Sequence, residues 1–177
     1  MKKPAAKPSI LERILAKRRQ RVEEARAQVG LEEMRRRAAS QPGTRSLRAA
    51  LLDPEFPRRS FIIAEVKRAS PSAGRIRPDL DAVQMAEVYR DAGAGGISIL
   101  TEVDFFHGRP EDLVEIRARI DLPLLRKDFI IDEYQVQESR ALGADALLLI
   151  VAALTPPELQ RLLGATRETG MEAIVEV

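Results

Sequence analysis

The 177-residue chain has no cysteine. That excludes a disulfide framework and any thiolate metal site. It has a single histidine, His107, too few for a His-based metal centre. Aromatic residues make up only 4%, and the leading segment lacks the aromatics that single-strand nucleic-acid binders stack on bases. No apolar run reaches the roughly 20 residues that span a bilayer. The basic start, Met1 to Pro8, is not followed by the apolar core of a signal peptide. The expectation is a cytoplasmic protein with no metal, no membrane and no nucleic-acid partner.

What is present reads as an ordinary globular chain, with 45% hydrophobic and 32% charged residues. The net charge of +2 hides an asymmetry. Residues 1–60 hold 16 Lys/Arg against 7 Asp/Glu, and the remainder holds 13 against 20. A basic leading segment beside an acidic body either binds an anion or packs on that body. The second is the expectation here.

Residues 1–8 read as a flexible tail, and residues 9–60 as a helical extension. Ser9 followed by Glu12 is a capping-box pattern. Leu11, Ile14, Leu15, Val22, Ala25 and Val29 then recur near helical spacing. Gly30 ends that helix, a second covers about 31–39, and a short third lies near 46–52 between breaks at Pro42, Gly43, Pro54 and Pro57.

From Phe61 the texture changes. Apolar, β-branched runs at 61–67, 96–102, 122–127, 145–151 and 173–177 alternate with helical patterns near 80–92, 109–119, 132–142 and 156–169. Gly93, Gly143 and Gly170 fall where those helices should stop. Such alternation makes βαβ units and a parallel sheet. A doubly wound sheet would favour a glycine-rich fingerprint after its first strand, and none is present. A barrel carries its chemistry at the C-terminal ends of several strands, which is the pattern seen. The fold class expected is α/β, an incomplete (β/α)8 TIM barrel spanning residues 61–177 with strands one to five.

Alternation along Ile63-Ala64-Glu65-Val66-Lys67 puts Ile63, Glu65 and Lys67 on one face, apolar at its start and charged at its end. Lys127 closes the third strand in the same way, and Glu176 sits inside the apolar fifth. A carboxylate buried in an apolar strand is costly unless paired, so a facing lysine is its natural partner. Two lysines and two glutamates converging on one pocket would form an acid/base site; the alternative is a structural ion-pair cluster. The loop Arg68 to Gly74, rich in small hydroxylated residues, either cradles an anion or is a plain turn. Phe105, Phe106 and Phe129 follow strand ends, where they either wall a flat ligand or pack in the core.

Together these stretches resemble indole-3-glycerol phosphate synthase. The resemblance rests on Ile-Ile-Ala-Glu-Val-Lys-Arg-Ala-Ser-Pro-Ser-Ala-Gly (62–74), Ile-Ser-Ile-Leu-Thr-Glu (97–102), Phe-Phe-His-Gly (105–108), Leu-Arg-Lys-Asp-Phe-Ile-Ile-Asp (125–132), Gly-Ala-Asp-Ala-Leu-Leu-Leu-Ile (143–150) and Val-Glu-Val (175–177). It implies a lyase of tryptophan biosynthesis that closes the ring of 1-(2-carboxyphenylamino)-1-deoxyribulose 5-phosphate with loss of carbon dioxide and water, using no cofactor or metal. Lys127 matches the family's general acid and Glu176 its general base. Lys67 matches the lysine that assists loss of the hydroxyl, and Glu65 the carboxylate that orients the lysines. Ser70 is similar to a substrate-loop contact, and Phe106, Phe129 and Leu148 match the lining of the pocket for the aromatic ring.

A complete barrel of this kind takes roughly 250 residues. About three further strand–helix units are therefore expected after Val177, carrying an asparagine and the main phosphate-binding glycines and serine of the family. The complete enzyme is expected to be a monomer. These 177 residues alone are expected to self-associate and to be weakly active or inactive. Two competing readings are a non-catalytic barrel fragment that meets a partner through its open edge, and a neighbouring isomerase of the same pathway, against which the two-lysine set argues.

Overall fold

A computed structural model of the chain describes residues 7–52 and 61–177. Most of the expected tail and the Pro54–Pro57 break lie outside the described residues. The sequence patterns translate into seven helices and seven strands among the described residues. Helix α1 (Ile10–Gln28) begins at Ser9, whose side chain accepts the Glu12 N–H while the Glu12 carboxylate takes the Ser9 N–H at 2.6 Å. Helices α2 (Leu31–Ala39) and α3 (Leu47–Leu52) follow. Strand β1 (Ile63–Val66) opens the sheet. Then come α4 (Ala82–Asp91), β4 (Gly96–Leu100), α5 (Pro110–Arg117), β5 (Leu124–Lys127), α6 (Glu133–Ala141), β6 (Ala146–Ile150), α7 (Pro156–Glu168) and β7 (Glu172–Glu176). One feature was not foreseen: residues read as a loop form a small antiparallel hairpin, β2 (Ala69–Ser70) with β3 (Gly74–Arg75). Its strands are too short for any period to register. Gly93, Gly143 and Gly170 take positive φ at the ends of α4, α6 and α7, where a side chain would be strained.

The five main strands pair in the order β1-β4-β5-β6-β7, every pair parallel. Consecutive parallel strands lying side by side, each joined by a helix, are the arrangement of one continuous part of a (β/α)8 barrel.

The two faces of this sheet are filled differently. Ala64, Val66, Ile97, Ile99, Leu124, Leu147 and Leu149 point to the outer face and pack beneath α4, α5, α6 and α7. Ile63, Leu125, Ala146 and Ile174 point inward, where they meet Leu47 and Leu51 of α3. Helix α3 is thus a plug under the strand starts. A Cβ on Gly96 would come within 2.6 Å of Leu47 Cδ1, so a larger residue there would push the tip of the plug's leucine aside. Glu172 holds α3 in place, accepting from Ser46 Oγ at 2.6 Å and the Arg48 N–H at 2.8 Å. Asp145 accepts the N–H groups of Arg45 and Leu124, each at 2.8 Å. With the lower inner face closed by apolar side chains, its upper end is left for polar groups.

Helices α1 and α2 lie against α6 through Val22, Met34 and Tyr134, and the Tyr134 hydroxyl donates to the Ala25 carbonyl at 3.1 Å. The described helices α1 and α2 of the basic leading segment therefore pack on the acidic body. Arg18, Arg21 and Arg26 of α1 pair with Asp128, Asp104 and Asp132, all on loops at the C-terminal ends of the strands.

Candidate active site

The strand register carries the charged residues upward in a common direction. Lys127 is in register with Leu100 on one side, and Ile150 with Glu176 on the other edge of the sheet. Alternation then puts Glu65, Lys67, Lys127, Leu148 and Glu176 on the inner face, above the Leu125–Ala146–Ile174 layer.

Lys127 Nζ lies 3.8 Å from Glu176 Oε2, across β6. Both line a cavity of about 380 Å³ with Phe106, Phe129, Leu148 and Leu11. The Phe106 and Phe129 rings meet at 6.1 Å between centroids with a 42° tilt, a tilted aromatic pair that forms one wall. Leu148 of β6 and Leu11 of α1 add to its apolar lining. Five of the eight side chains singled out in the sequence share this cavity. Its make-up, apolar walls with Lys127 and Glu176 at one side and the buried Asp128 also in the lining, suits a flat ring carrying a polar edge.

The other three stand apart. Lys67 Nζ is 2.7 Å from Glu65 Oε1, a close pair at the end of β1 that does not line the cavity. Strand β4 lies between β1 and β5, and Leu100 occupies the position in register with Lys127. Ser70 lies in the hairpin, where its hydroxyl accepts the Ala73 N–H at 3.1 Å and neighbours Ser72 Oγ at 3.4 Å. The four charged groups therefore form two separate ion pairs on one face.

Behind the aromatic wall lies a buried polar network that the sequence patterns did not single out. Asp128 accepts from Arg18 Nη2 at 2.5 Å, Thr101 Oγ1 at 2.6 Å, Arg126 Nη2 at 3.2 Å and the Phe129 N–H at 2.8 Å. Glu102 accepts the N–H groups of Asp104, Phe105 and Phe106 at 3.2, 2.7 and 3.0 Å. Burial opposes the charge on Arg126, yet Glu138 and Asp128 together hold its guanidinium above the ordinary arginine value. One signal was available in the sequence: Arg18 falls inside the apolar stripe of α1, between Ile14, Leu15 and Val22. Gly108 completes the loop, since a Cβ there would come within 2.4 Å of the Leu100 carbonyl oxygen.

A larger cavity, about 650 Å³, lies between the hairpin and the start of α5. Arg68, Arg75, His107 and Arg109 border it, but so do Asp79, Asp81, Asp112 and Glu115. Arg68 is committed to Asp112 and the Leu80 carbonyl. Balanced charge and an internal ion pair leave it without a chemical direction. Among the described residues no cluster of His, Asp and Glu could hold a metal ion, and no helix is long and apolar enough to cross a membrane.

Comparison with known proteins settles the family. The model of the indole-3-glycerol phosphate synthase family matches residues 11–177. The chain belongs to the indole-3-glycerol phosphate synthase family. Proteins bearing that name include one from Carboxydothermus hydrogenoformans, 47% identical over 170 residues, covering 94% of this chain and 64% of that protein. One from a Roseiflexus species is 49% identical over 175 residues, covering 96% and 64%. One from Neisseria meningitidis serogroup B is 44% identical over 168 residues, covering 95% and 65%. The chain thus spans a little under two thirds of the length of these curated relatives. The five-stranded parallel sheet is the part of a (β/α)8 barrel that this member of the family forms.

Proposed function

We propose that the chain supplies the acid/base half of an indole-3-glycerol phosphate synthase site, acting on 1-(2-carboxyphenylamino)-1-deoxyribulose 5-phosphate. The observation that carries this reading is the Lys127–Glu176 pair in a cavity walled by Phe106 and Phe129. The substrate has an aromatic ring, a ketone to be attacked by a ring carbon, and a hydroxyl to be lost. In this reading the ring lies against Phe106, Phe129 and Leu148. Lys127 protonates the ketone oxygen as the new carbon–carbon bond forms, and carbon dioxide leaves to restore the ring electrons. Glu176 then removes a proton as the hydroxyl departs as water. Lys67 assists that departure, with Glu65 2.7 Å away to hold its ammonium. Ser70 meets the substrate from the hairpin. No cofactor is required by these steps, because each moves only protons and an electron pair within the substrate.

The open strands β1 and β7 lie at the two edges of the described sheet. Unpaired edges favour association and leave an inner face uncovered. The 177-residue polypeptide taken alone is therefore proposed to turn over poorly or not at all. An edge-binding, non-catalytic role is the second reading, favoured by exposed Val175 and Phe61 near those edges.

The test is formation of indole-3-glycerol phosphate by two polypeptides. One is the 177-residue chain, and the other is the same chain continued with the remaining strand–helix units of the Carboxydothermus hydrogenoformans relative. Turnover by the chimera, lost on replacing Lys127, supports the synthase reading. A folded chimera with no turnover favours the edge-binding role, and family-like turnover by the 177-residue monomer overturns the proposed dependence on further units.

A further inference from the structure

We propose that Arg18 of α1 is a positioning residue that fixes the aromatic wall of the cavity, a role that rests on the synthase reading above for its catalytic meaning. Phe106 and Phe129 are placed by their backbones as much as by packing. The Phe106 N–H is bound to the Glu102 carboxylate, and the Phe129 N–H to the Asp128 carboxylate. Both carboxylates are almost completely buried, with side chains 2% and 0% exposed. Two buried anions at the ends of adjacent strands repel each other and each demands a counter-charge.

Arg18 meets that demand from a separate element. Its Nη2 stands 2.5 Å from Asp128 Oδ1 and 3.8 Å from Glu102 Oε1. The other groups facing the pair are Thr101 just after β4, Arg126 on β5, the latter shared with Glu138 of α6, and Arg21 of α1, whose charge also acts on Glu102. Lys127 and Glu176 lie in the adjoining cavity. Arg126 already divides its charge between two acids, and Arg18 is the cation that reaches both carboxylates of the pair. Helix α1 is in turn held by Arg21 to Asp104 and Arg26 to Asp132, at 2.8 and 2.5 Å, on the same two loops. The N-terminal helix thus clamps the loops after β4 and β5 together and sets the position of the aromatic wall against which the substrate's aromatic half lies.

Removing the Arg18 charge leaves two carboxylates sharing one buried site. Like charges so placed drive one of them to take up a proton. A proton on Glu102 or Asp128 alters the hydrogen bond it receives from the Phe106 or Phe129 N–H, which an amide chemical shift reports directly.

The experiment is a pH titration of the Phe106 and Phe129 amide resonances in the full chain, with binding of 2-aminobenzoate, the aromatic half of the substrate, followed by its own fluorescence. In the Arg18→Met variant one or both resonances should move more with pH than in the parent chain, and 2-aminobenzoate should bind about tenfold more weakly. Arg18→Lys, which keeps the charge, should restore the parent's pH response. Arg18→Met combined with Glu102→Gln removes one anion while keeping an oxygen for the three N–H groups, so it should fold and keep the parent's response even where Arg18→Met alone does not fold. A parent-like response in a folded Arg18→Met variant, or a larger one persisting in Arg18→Lys and in the double variant, would overturn the clamp. Resonances that behave as stated in a chain that does not bind 2-aminobenzoate uphold the clamp and count against the synthase reading instead.

Discussion

The outer and inner faces of the same five strands answer to different demands. On the outer face Ile97, Ile99, Leu147 and Leu149 are sealed under helices, and these positions serve packing. On the inner face apolar side chains meet the α3 plug at the bottom, while Glu65, Lys67, Lys127 and Glu176 occupy the top, a third to a half exposed. One residue's step along a strand moves a side chain from one regime to the other. A substitution should therefore damage either stability or chemistry, according to the parity of its position.

The sharpest test of that division is Lys127→Met in the chimera that carries out the reaction. Loss of the proposed acid should lower kcat about 10²–10⁴-fold, with thermal unfolding unchanged. A large drop in melting temperature would break the comparison, since it would make Lys127 a structural residue. The neighbouring outward residue should behave in the opposite way. Arg126→Met leaves buried Asp128 without one of its cations, and should cost about 3–5 kcal/mol in denaturant unfolding.

Deeper on the outer face, Leu147→Ala opens a cavity under the helices and should cost about 2–5 kcal/mol. Activity per folded molecule should be kept. The smallest effect concerns the loop after β4. The Arg21 guanidinium beside Asp104 holds its carboxyl below the usual carboxylate range. A folded-state value below the unfolded one adds stability above the unfolded value, and that stability is lost as pH falls through the folded one. Acid unfolding curves should show a modest loss across and below the ordinary carboxylate range, and Asp104→Asn should flatten it.

Much of this division was legible in the sequence because strand parity is a local property. The run Ile63 to Lys67 states its own polarity, Lys127 closes an apolar strand, and Glu176 stands out inside another. Helix limits were legible where a cap or a stop glycine marks them, as at Ser9, Gly93, Gly143 and Gly170. The β2–β3 hairpin was not, because two-residue strands carry no period. Nor was the split of four charges into two pairs, which depends on β4 standing between β1 and β5. The buried network was least legible. Arg18 and Asp128 are 110 residues apart, and only an arginine interrupting an apolar helical stripe hints at their meeting.

The central claim is that the upper inner face of the sheet, and not the larger cavity bordered by Arg68 and His107, receives the ligand. Chemical-shift mapping of indole-3-glycerol phosphate on the isotope-labelled chain tests it most directly. The account predicts that perturbations concentrate at Phe106, Lys127, Phe129, Leu148 and Glu176. Perturbations confined to the residues around Arg68, His107 and Asp112, with the Lys127 region unmoved, would contradict it.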